Sequence, residues 1–362
     1  MDRLLALFPG CVAPGGIQSS GRVAWDAMVA ASGSGLAPFR FCYGDDGPAD
    51  RARSLRRHDN EFHTASKYRA VTAAATMRGR FGLIVVWHMD LLKLLPFFRS
   101  HRSRVVLILQ GVEAWRQRSW PERSLLRRVD LFVSISDYTW HRFVQANPGS
   151  ANAPHCTVPL GIGAPLQGQI PDPATTPAAL MIGRLVRGED YKGHREMIDA
   201  WPLVLQRIPN AELWIAGDGD LRPDLEQIVA ERGLRRSVRF FGLVSEDQKR
   251  QLLEGSRCMA VPSRGEGFGL VYLEAMRLGR PCLVSTLDAG REVVDPPRHG
   301  LAADPADTNS LAEATCRLLT PGSQWQQWSA RARDRYDQHF SASQYQQRLL
   351  SALAGAHSRR AA

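Results

Sequence analysis

The sequence predicts an α/β protein built from two doubly wound parallel-sheet domains, on three observations. Short apolar or β-branched runs alternate with longer amphipathic stretches along nearly the whole chain, the pattern of right-handed βαβ units whose sheet is covered on both faces. The alternation is interrupted at residues 158–177, "VPLGIGAPLQGQIPDPATTP", a stretch dense in Pro and Gly that reads as a linker. The length of 362 residues exceeds one ordinary core and fits two domains of roughly 100–200 residues each. Two such sheets joined by a linker leave a cleft, with ligands expected beyond the carboxyl ends of the strands.

Before the linker, strands are expected at 4–8, 38–43, 82–87, 104–109, 131–135 and 155–159, and helices near 17–31, 64–78, 120–128 and 137–146. After it, strands are expected at 179–183, 212–216, 238–241, 257–261 and 282–285. Helices follow near 192–207, 221–233, 245–254, 270–279 and 306–319. In the first of these, Met197, Trp201, Val204 and Ile208 recur at three- and four-residue steps. A late helix is expected over 323–354. The boundaries become a first domain at 1–160, a linker at 161–177 and a second domain at 178–340. Residues 341–362 form a C-terminal helix packing back toward the first domain, with a disordered tail.

Composition narrows the classes. Hydrophobic and charged fractions of 44% and 23% are those of a soluble globular protein. No apolar run approaches the roughly 18 residues of a membrane span. "MDRLLALFPG" lacks the basic start of a signal peptide and reads as a first buried strand. The six cysteines are scattered without a C-x-x-C pair, which argues for reduced thiols and a cytoplasmic setting. The net charge of +10 is uneven: residues 1–165 carry 21 Lys/Arg against 12 Asp/Glu, a net of +9. The first half is therefore expected to face something anionic.

The densest chemistry lies in "SRGEGFGLVYLEAM", residues 263–276. Gly265, Gly267 and Gly269 disfavour helix before Leu270, so Glu266 belongs to a loop and Glu274 to the first part of the following helix. Glycines admit close approach of a ligand, and the first helical turn offers free N–H groups to an anion. A carboxylate beside such a site accepts hydrogen bonds from vicinal hydroxyls, as on a ribose. Taken alone, Glu274 is equally a favourable first-turn Glu. In "LMIGRLVRGEDYKGH", Arg184 follows a buried strand and Lys192 opens the next helix, a pair suited to a diphosphate. Arg184 alone could be a solvated loop cation. Lys192 stands out because only four of the 46 cationic side chains are lysines. The Gly15-Gly16 pair lies where the first strand yields to the first helix, without the spacing of a dinucleotide fingerprint.

These residues resemble a known family. "GRLVRGEDYKGH", "IAGDG", "VRFFG" and "PSRGEGFGLVYLEAMRLGRP" are similar to the donor domain of group-1 (family 4) retaining glycosyltransferases. "GGI", "QGVEAW" and "VSISDYT" are similar to the acceptor domain. The resemblance implies the GT-B fold, two Rossmann-like domains facing each other across a cleft. It implies transfer of a sugar from a nucleotide-diphosphate-sugar to a glycan or lipid-linked acceptor, with retention of anomeric configuration and no metal or other cofactor. It assigns Arg184 and Lys192 to the diphosphate, Glu266 to the donor sugar and Glu274 to the ribose. Backbone groups of Phe268, Gly269 and Leu270 would bind sugar or phosphate, and Gly16 the diphosphate. Gln110 stands where the family commonly has His; it can hydrogen-bond a hydroxyl but cannot become cationic. His88 and Glu113 are further candidates for sugar or acceptor contacts, Glu113 being as readily a capping residue.

Asp218-Gly219-Asp220 spells D-x-D, a metal signature of a different glycosyltransferase fold, but its Gly-rich setting reads as turn chemistry. No His/Asp/Glu cluster has convincing metal-ligand spacing. Competing readings are another nucleotide-sugar enzyme, such as an epimerase, and a nucleic-acid-binding protein; no recognised module supports the second. The basic first half suggests instead a peripheral site on an anionic membrane. "LLKLLPFFRSHRSR" would provide Leu, Phe, Arg99, His101, Arg102 and Arg104, with Trp115 and Trp120 nearby.

Overall fold

The computed structural model describes residues 2–10, 15–34, 36–44, 60–78, 80–98 and 103–358. Two compact units result, one from Met1–Ile162 together with Ala342–Ala362, the other from Gly163–Ser341.

The first unit contains strands β1 (Asp2–Phe8), β2 (Leu36–Tyr43), β3 (Glu61–Thr64), β4 (Leu83–Val86), β5 (Arg104–Leu109), β6 (Leu131–Ser134) and β7 (His155–Thr157). They pair in parallel in the order β3-β2-β1-β4-β5-β6-β7. Its helices are α1 (Gly16–Ala30), α2 (Lys67–Thr76), α3 (Leu95–Phe98), α4 (Trp120–Leu126) and α5 (Asp137–Ala146). The four residues "LIVV" of β4 are all buried, as a central strand between two helical layers requires.

The second unit contains β8 (Ala178–Ile182), β9 (Glu212–Ala216), β10 (Val238–Gly242), β11 (Cys258–Val261), β12 (Cys282–Ser285) and β13 (Gly300–Ala303), in the parallel order β10-β9-β8-β11-β12-β13. Between and after them run α6 (His194–Arg207), α7 (Arg222–Glu231), α8 (Glu246–Gly255), α9 (Leu270–Arg277), α10 (Gly290–Val294), α11 (Thr308–Leu319) and α12 (Ser323–His339). The stripe read from sequence in α6 is in the core: Met197, Trp201 and Val204 are fully buried and Ile208 packs at its edge. Each sheet reverses its winding direction once, between β1 and β4 and between β8 and β11. Loops diverge at such a point and open a crevice at the carboxyl ends of the strands.

Sequence and structure differ at the edges. Strands β3 and β13 were not expected. "EFHT" is short and only half-buried, and "GLAA" lacks β-branched residues, so neither carries a strand signature. The expected helix over 323–354 is two helices. Phe340 leaves helical geometry at φ −127°, is buried, and sets its ring edge-on to Phe268 at 6.1 Å. The second helix, α13 (Ala342–Ser358), belongs to the first unit. Its Tyr345, Leu349 and Leu353 are buried at four-residue steps, and its Gln346 donates to the Val23 carbonyl of α1 at 3.2 Å.

Residues 163–177 are fastened to the second unit. Arg277 donates to the Ala164 carbonyl (2.8 Å) and Arg280 to that of Pro171 (2.6 Å). The Ala174 N–H donates to the Gly255 carbonyl (3.0 Å). Against the expectation of reduced thiols, Cys42 at the end of β2 is in a disulfide, whereas Cys156, Cys258, Cys282 and Cys316 are free.

In the expected membrane stretch Leu91, Leu92, Leu95 and Phe98 are buried, Leu94 and Phe97 are half-buried, and Arg104 pairs with Asp130 at 2.7 Å. Arg99, His101 and Arg102 lie outside the described residues. Trp115 is half-buried and stacks under Arg142 at 5.1 Å, while Trp120 is 71% exposed. Among the described residues no helix is long and apolar enough to cross a membrane.

One close approach is decisive for the second unit. Gly217 follows β9 at φ +145°, and a Cβ there would run into the Gly183 carbonyl oxygen. Gly217→Ala therefore combines a clash with a left-handed backbone and is expected to cost about 2–4 kcal/mol. Gly188, with open space around it, is the control. Denaturant unfolding should show a large loss for Gly217→Ala and almost none for Gly188→Ala.

Candidate functional site

The polar chemistry of the second unit gathers beside its switch point, after β8 and β11. Strand β8 is buried up to its last residues, so Gly183 and Arg184 emerge where the sheet ends. A short 3-10 turn, Arg187–Lys192, then returns the chain to α6. Gly193 makes the junction at φ +86°, where a Cβ would meet the Pro262 carbonyl. Only glycine fits between the turn and the end of β11.

Glu189, which the sequence reading did not single out, ties the two cations together. Its carboxylate pairs with Arg184 through one oxygen and with Lys192 through the other, the latter at 2.6 Å. Arg184 is 73% exposed, whereas Lys192 is 17% exposed. The pair thus presents an exposed guanidinium and a largely buried ammonium, both held next to an anion. Lys192 also acts on Glu266 from the neighbouring loop. Burial pushes the Glu266 carboxyl above its ordinary range and Glu189 adds to this. Lys192 and the N–H groups of Phe268 and Gly267 pull it back. Arg184, Glu189, Lys192 and Glu266 therefore form one electrostatic group.

Asp288, in the loop after β12, fixes the Glu266 loop. One carboxylate oxygen accepts the Glu266 N–H at 3.1 Å and the other the Gly290 N–H at 2.9 Å. The Ala289 N–H returns a bond to the Glu266 carbonyl at 3.2 Å. Burial pushes the Asp288 acid up to about 7, against the pull of those two N–H donors. Gly269 then caps α9 at φ +88°, without a side-chain cap. The N–H groups of Leu270 and Val271 are left without an intrahelical acceptor, as in any first turn. Phe268 is buried, and its N–H serves Glu266.

Glu274 makes a different contact. Its carboxylate holds Lys249 of α8 at 2.8 Å, and Lys249 also reaches Glu246 at 2.9 Å. Burial raises the Glu274 pKa against the pull of Lys249, while the two carboxylates raise that of Lys249 against burial. Lys249 was missed, although its rarity as a lysine marked it as it marked Lys192.

Asp218 and Asp220 hold a turn: Asp218 accepts the Gly219 N–H (2.9 Å) and Asp220 that of Arg187 (2.9 Å). Among the described residues no group of three His, Cys, Asp or Glu is placed to hold a metal.

In the first unit, Gly16 is the first residue of α1, after Gly15 at φ +157°. Gln110 is buried and donates through Nε2 to the Trp87 carbonyl at 3.3 Å. Glu113 is also buried; its carboxylate accepts the Gln110 N–H at 2.7 Å, which holds the backbone at the end of β5. His88 follows β4, and its Nδ1 accepts the Asp90 N–H at 3.3 Å.

Comparison with known proteins bears on the fold and the family likeness. Residues 176–321 match the family Glycosyl transferases group 1. An uncharacterized glycosyltransferase of Methanocaldococcus jannaschii is 36% identical over 141 residues, 39% of this chain and 35% of that one. A GDP-mannose-dependent monoacylated alpha-(1-6)-phosphatidylinositol monomannoside mannosyltransferase of Corynebacterium glutamicum is 28% identical over 240 residues, 60% of this chain and 61% of that one. The chain thus spans less than two thirds of either relative's length. Among solved structures, Anabaena HepE in complex with UDP and glucose superposes with a TM-score of 0.73 at 17% identity, covering 98% of this chain and all of that one. The two parallel-sheet units are those of the GT-B fold.

The buried acid at Asp288 sets a pH dependence. Its folded pKa lies above the unfolded value of 3.8, so its contribution is complete below that value and is lost as pH rises through about 7. Asp288→Asn should flatten the fall in unfolding free energy between about pH 4 and 7. For one group that slope is at most about 1.4 kcal/mol per pH unit. Urea titrations across this range give the comparison; an unchanged slope would assign the dependence to other groups.

Proposed function

We propose that the protein is a glycosyltransferase that transfers a sugar from a nucleotide-diphosphate-sugar to a glycan or lipid-linked acceptor. In this reading transfer proceeds with retention of configuration, as in family 4, and without a metal. The observation that carries the reading is the cluster at the β8–β11 switch point: Arg184 and Lys192 bound to one carboxylate, with Glu266 under the influence of Lys192. A diphosphate would displace Glu189 from the two cations, which would then stabilise the charge that develops on the leaving nucleotide. In this reading Glu266 contacts the donor sugar's hydroxyls and Glu274, now paired with Lys249, contacts the ribose. The free amides at the start of α9, from Gly269 and Leu270 onward, suit a phosphate or a hydroxyl. The first unit then receives the acceptor, with His88 and Gln110 at the ends of β4 and β5. A role on the cytoplasmic face of a membrane, in surface polysaccharide or glycolipid synthesis, fits the net +9 of residues 1–165.

Support comes from relatives with nucleotide-sugar names and ligands: a GDP-mannose-dependent transferase and a UDP-bound structure. They differ in base and sugar, so the test begins with a thermal-shift panel of nucleoside diphosphates. A ligand at about 100 times its Kd adds roughly 2.7 kcal/mol to folded-state stability. With the donor found, Arg184→Ala and Lys192→Ala should each lower kcat about 10²-fold or more. Glu274→Gln should mainly raise KM, because ribose is held alike before and during transfer. Near-normal kcat in both cation variants would remove the assignment. Isomerised sugar formed without an acceptor would favour an epimerase. Activity lost to a chelator and restored by Mn²⁺ would reopen Asp218 and Asp220.

Release of the two cations can be tested separately. Glu189→Gln should tighten nucleoside diphosphate binding several-fold, because it removes the anion with which the phosphates compete. Isothermal titration would show this directly, and weaker binding would mean that Glu189 orients the cations instead.

A further inference from the structure

The first unit holds a cavity of about 840 Å³ beyond the carboxyl ends of β1, β2 and β4, where Pro9, Tyr43 and His88 emerge. It lies at that unit's switch point and is large enough for a substantial organic ligand. Its lining is divided. One part is cationic: Lys67, Lys93, Arg116 and Arg118. Two carboxylates, Asp90 and Glu122, line it as well, but both are drawn to Arg118, at 3.3 and 3.6 Å, and Glu122 also to Lys93 at 3.5 Å. Arg118 is buried and further donates to the Glu113 carbonyl. The cations left for a ligand are therefore the exposed Lys67 and Arg116, with Lys93 at 63% exposure.

The other part is apolar. Tyr43, Val71, Leu94 and Phe97 line the cavity and remain only half-buried. Helical spacing sets charge and apolar surface side by side. Lys67 and Val71 stand four residues apart on α2, and Lys93 and Phe97 four apart on the turn leading through α3. The lysines add weight. Two of the four in the chain line this cavity, and the other two, Lys192 and Lys249, hold the carboxylates of the switch-point site. In a chain that otherwise uses Arg, these are positions for a compact ammonium charge.

We propose that this cavity binds an amphipathic phosphate: a phosphate on Lys67, Lys93 and Arg116, carried on an apolar chain that lies against Val71, Leu94 and Phe97. As the acceptor site this rests on the transferase reading, and it selects a phosphate-linked lipid carrier over a free neutral glycan. Saccharide attached to such a phosphate would extend along the strand ends past His88.

The test uses the full-length protein and alkyl phosphates below their micelle concentration, with binding followed by isothermal titration. Decyl phosphate should bind, and affinity should rise about two- to fourfold per methylene from hexyl to decyl. Inorganic phosphate and neutral decyl glucoside should each bind at least tenfold more weakly. The surface double variant Lys67→Glu/Arg116→Glu should lose at least tenfold for decyl phosphate and keep the nucleoside diphosphate thermal shift. Equal binding of inorganic phosphate, equal binding of decyl glucoside, or a double variant that binds as wild type would each overturn the proposal. The nucleotide panel keeps the two ideas apart. Nucleotide stabilisation without alkyl phosphate binding defeats the cavity assignment alone. Alkyl phosphate binding without nucleotide stabilisation defeats the transferase reading alone.

Discussion

A parallel sheet covered on both faces leaves polar groups one place to go, past the ends of its strands. Strand β8, "AALMI", and strand β11, "CMAV", are apolar to their last residues and buried. Any charge between them would have to be desolvated at a cost of several kcal/mol. The charged residues that follow these two strands therefore lie in the connecting loops, and where the winding reverses two such loops diverge and leave room. The position of Arg184, Lys192 and Glu266 follows from that exclusion, as does the cavity beyond β1 and β4 in the first unit.

In and beside the loops of both units the carboxylates differ in what they accept. Asp220, Asp288 and Glu113 take backbone N–H groups and set the path of the chain, and Asp218 takes the Gly219 N–H as well as Arg222. Glu189 and Glu274 take cations, Lys192 and Lys249 among them. Glu266 does both, accepting N–H groups from its own loop while lying within the field of Lys192. Sequence proximity does not separate these roles; the Glu266 N–H donates to the Asp288 carboxylate across 22 positions.

The sheets were legible because a buried strand between helices leaves a continuous apolar run; of the thirteen strands among the described residues, only the two weak edges, β3 and β13, lack that signal. In the candidate site, glycine spacing and positions after apolar runs single out Arg184, Lys192, Glu266 and Glu274, of which folding gathers the first three. Glu189, Lys249 and Asp288 were not. Each acts through a partner brought near by folding, and an acidic residue in a polar loop carries no mark of the partner it will meet. Lys249 alone had a signal, in the scarcity of lysine. The late helix was misjudged because nothing in "DQHFSASQ" breaks a helix by propensity; burial of Phe340 against Phe268 does.

Helix α13 gives the chain an unusual order of completion. The second unit is one continuous segment, Gly163–Ser341, whereas the first is assembled from both sides of it. On a ribosome the second unit is whole while α1 still lacks the helix that covers it. The unit translated first is then the last to be finished. Until Tyr345, Leu349 and Leu353 emerge, the apolar surface they bury is open to water and to other chains. A premature stop before Ala342 would thus leave the second unit complete and damage the first, the reverse of what position along the chain suggests.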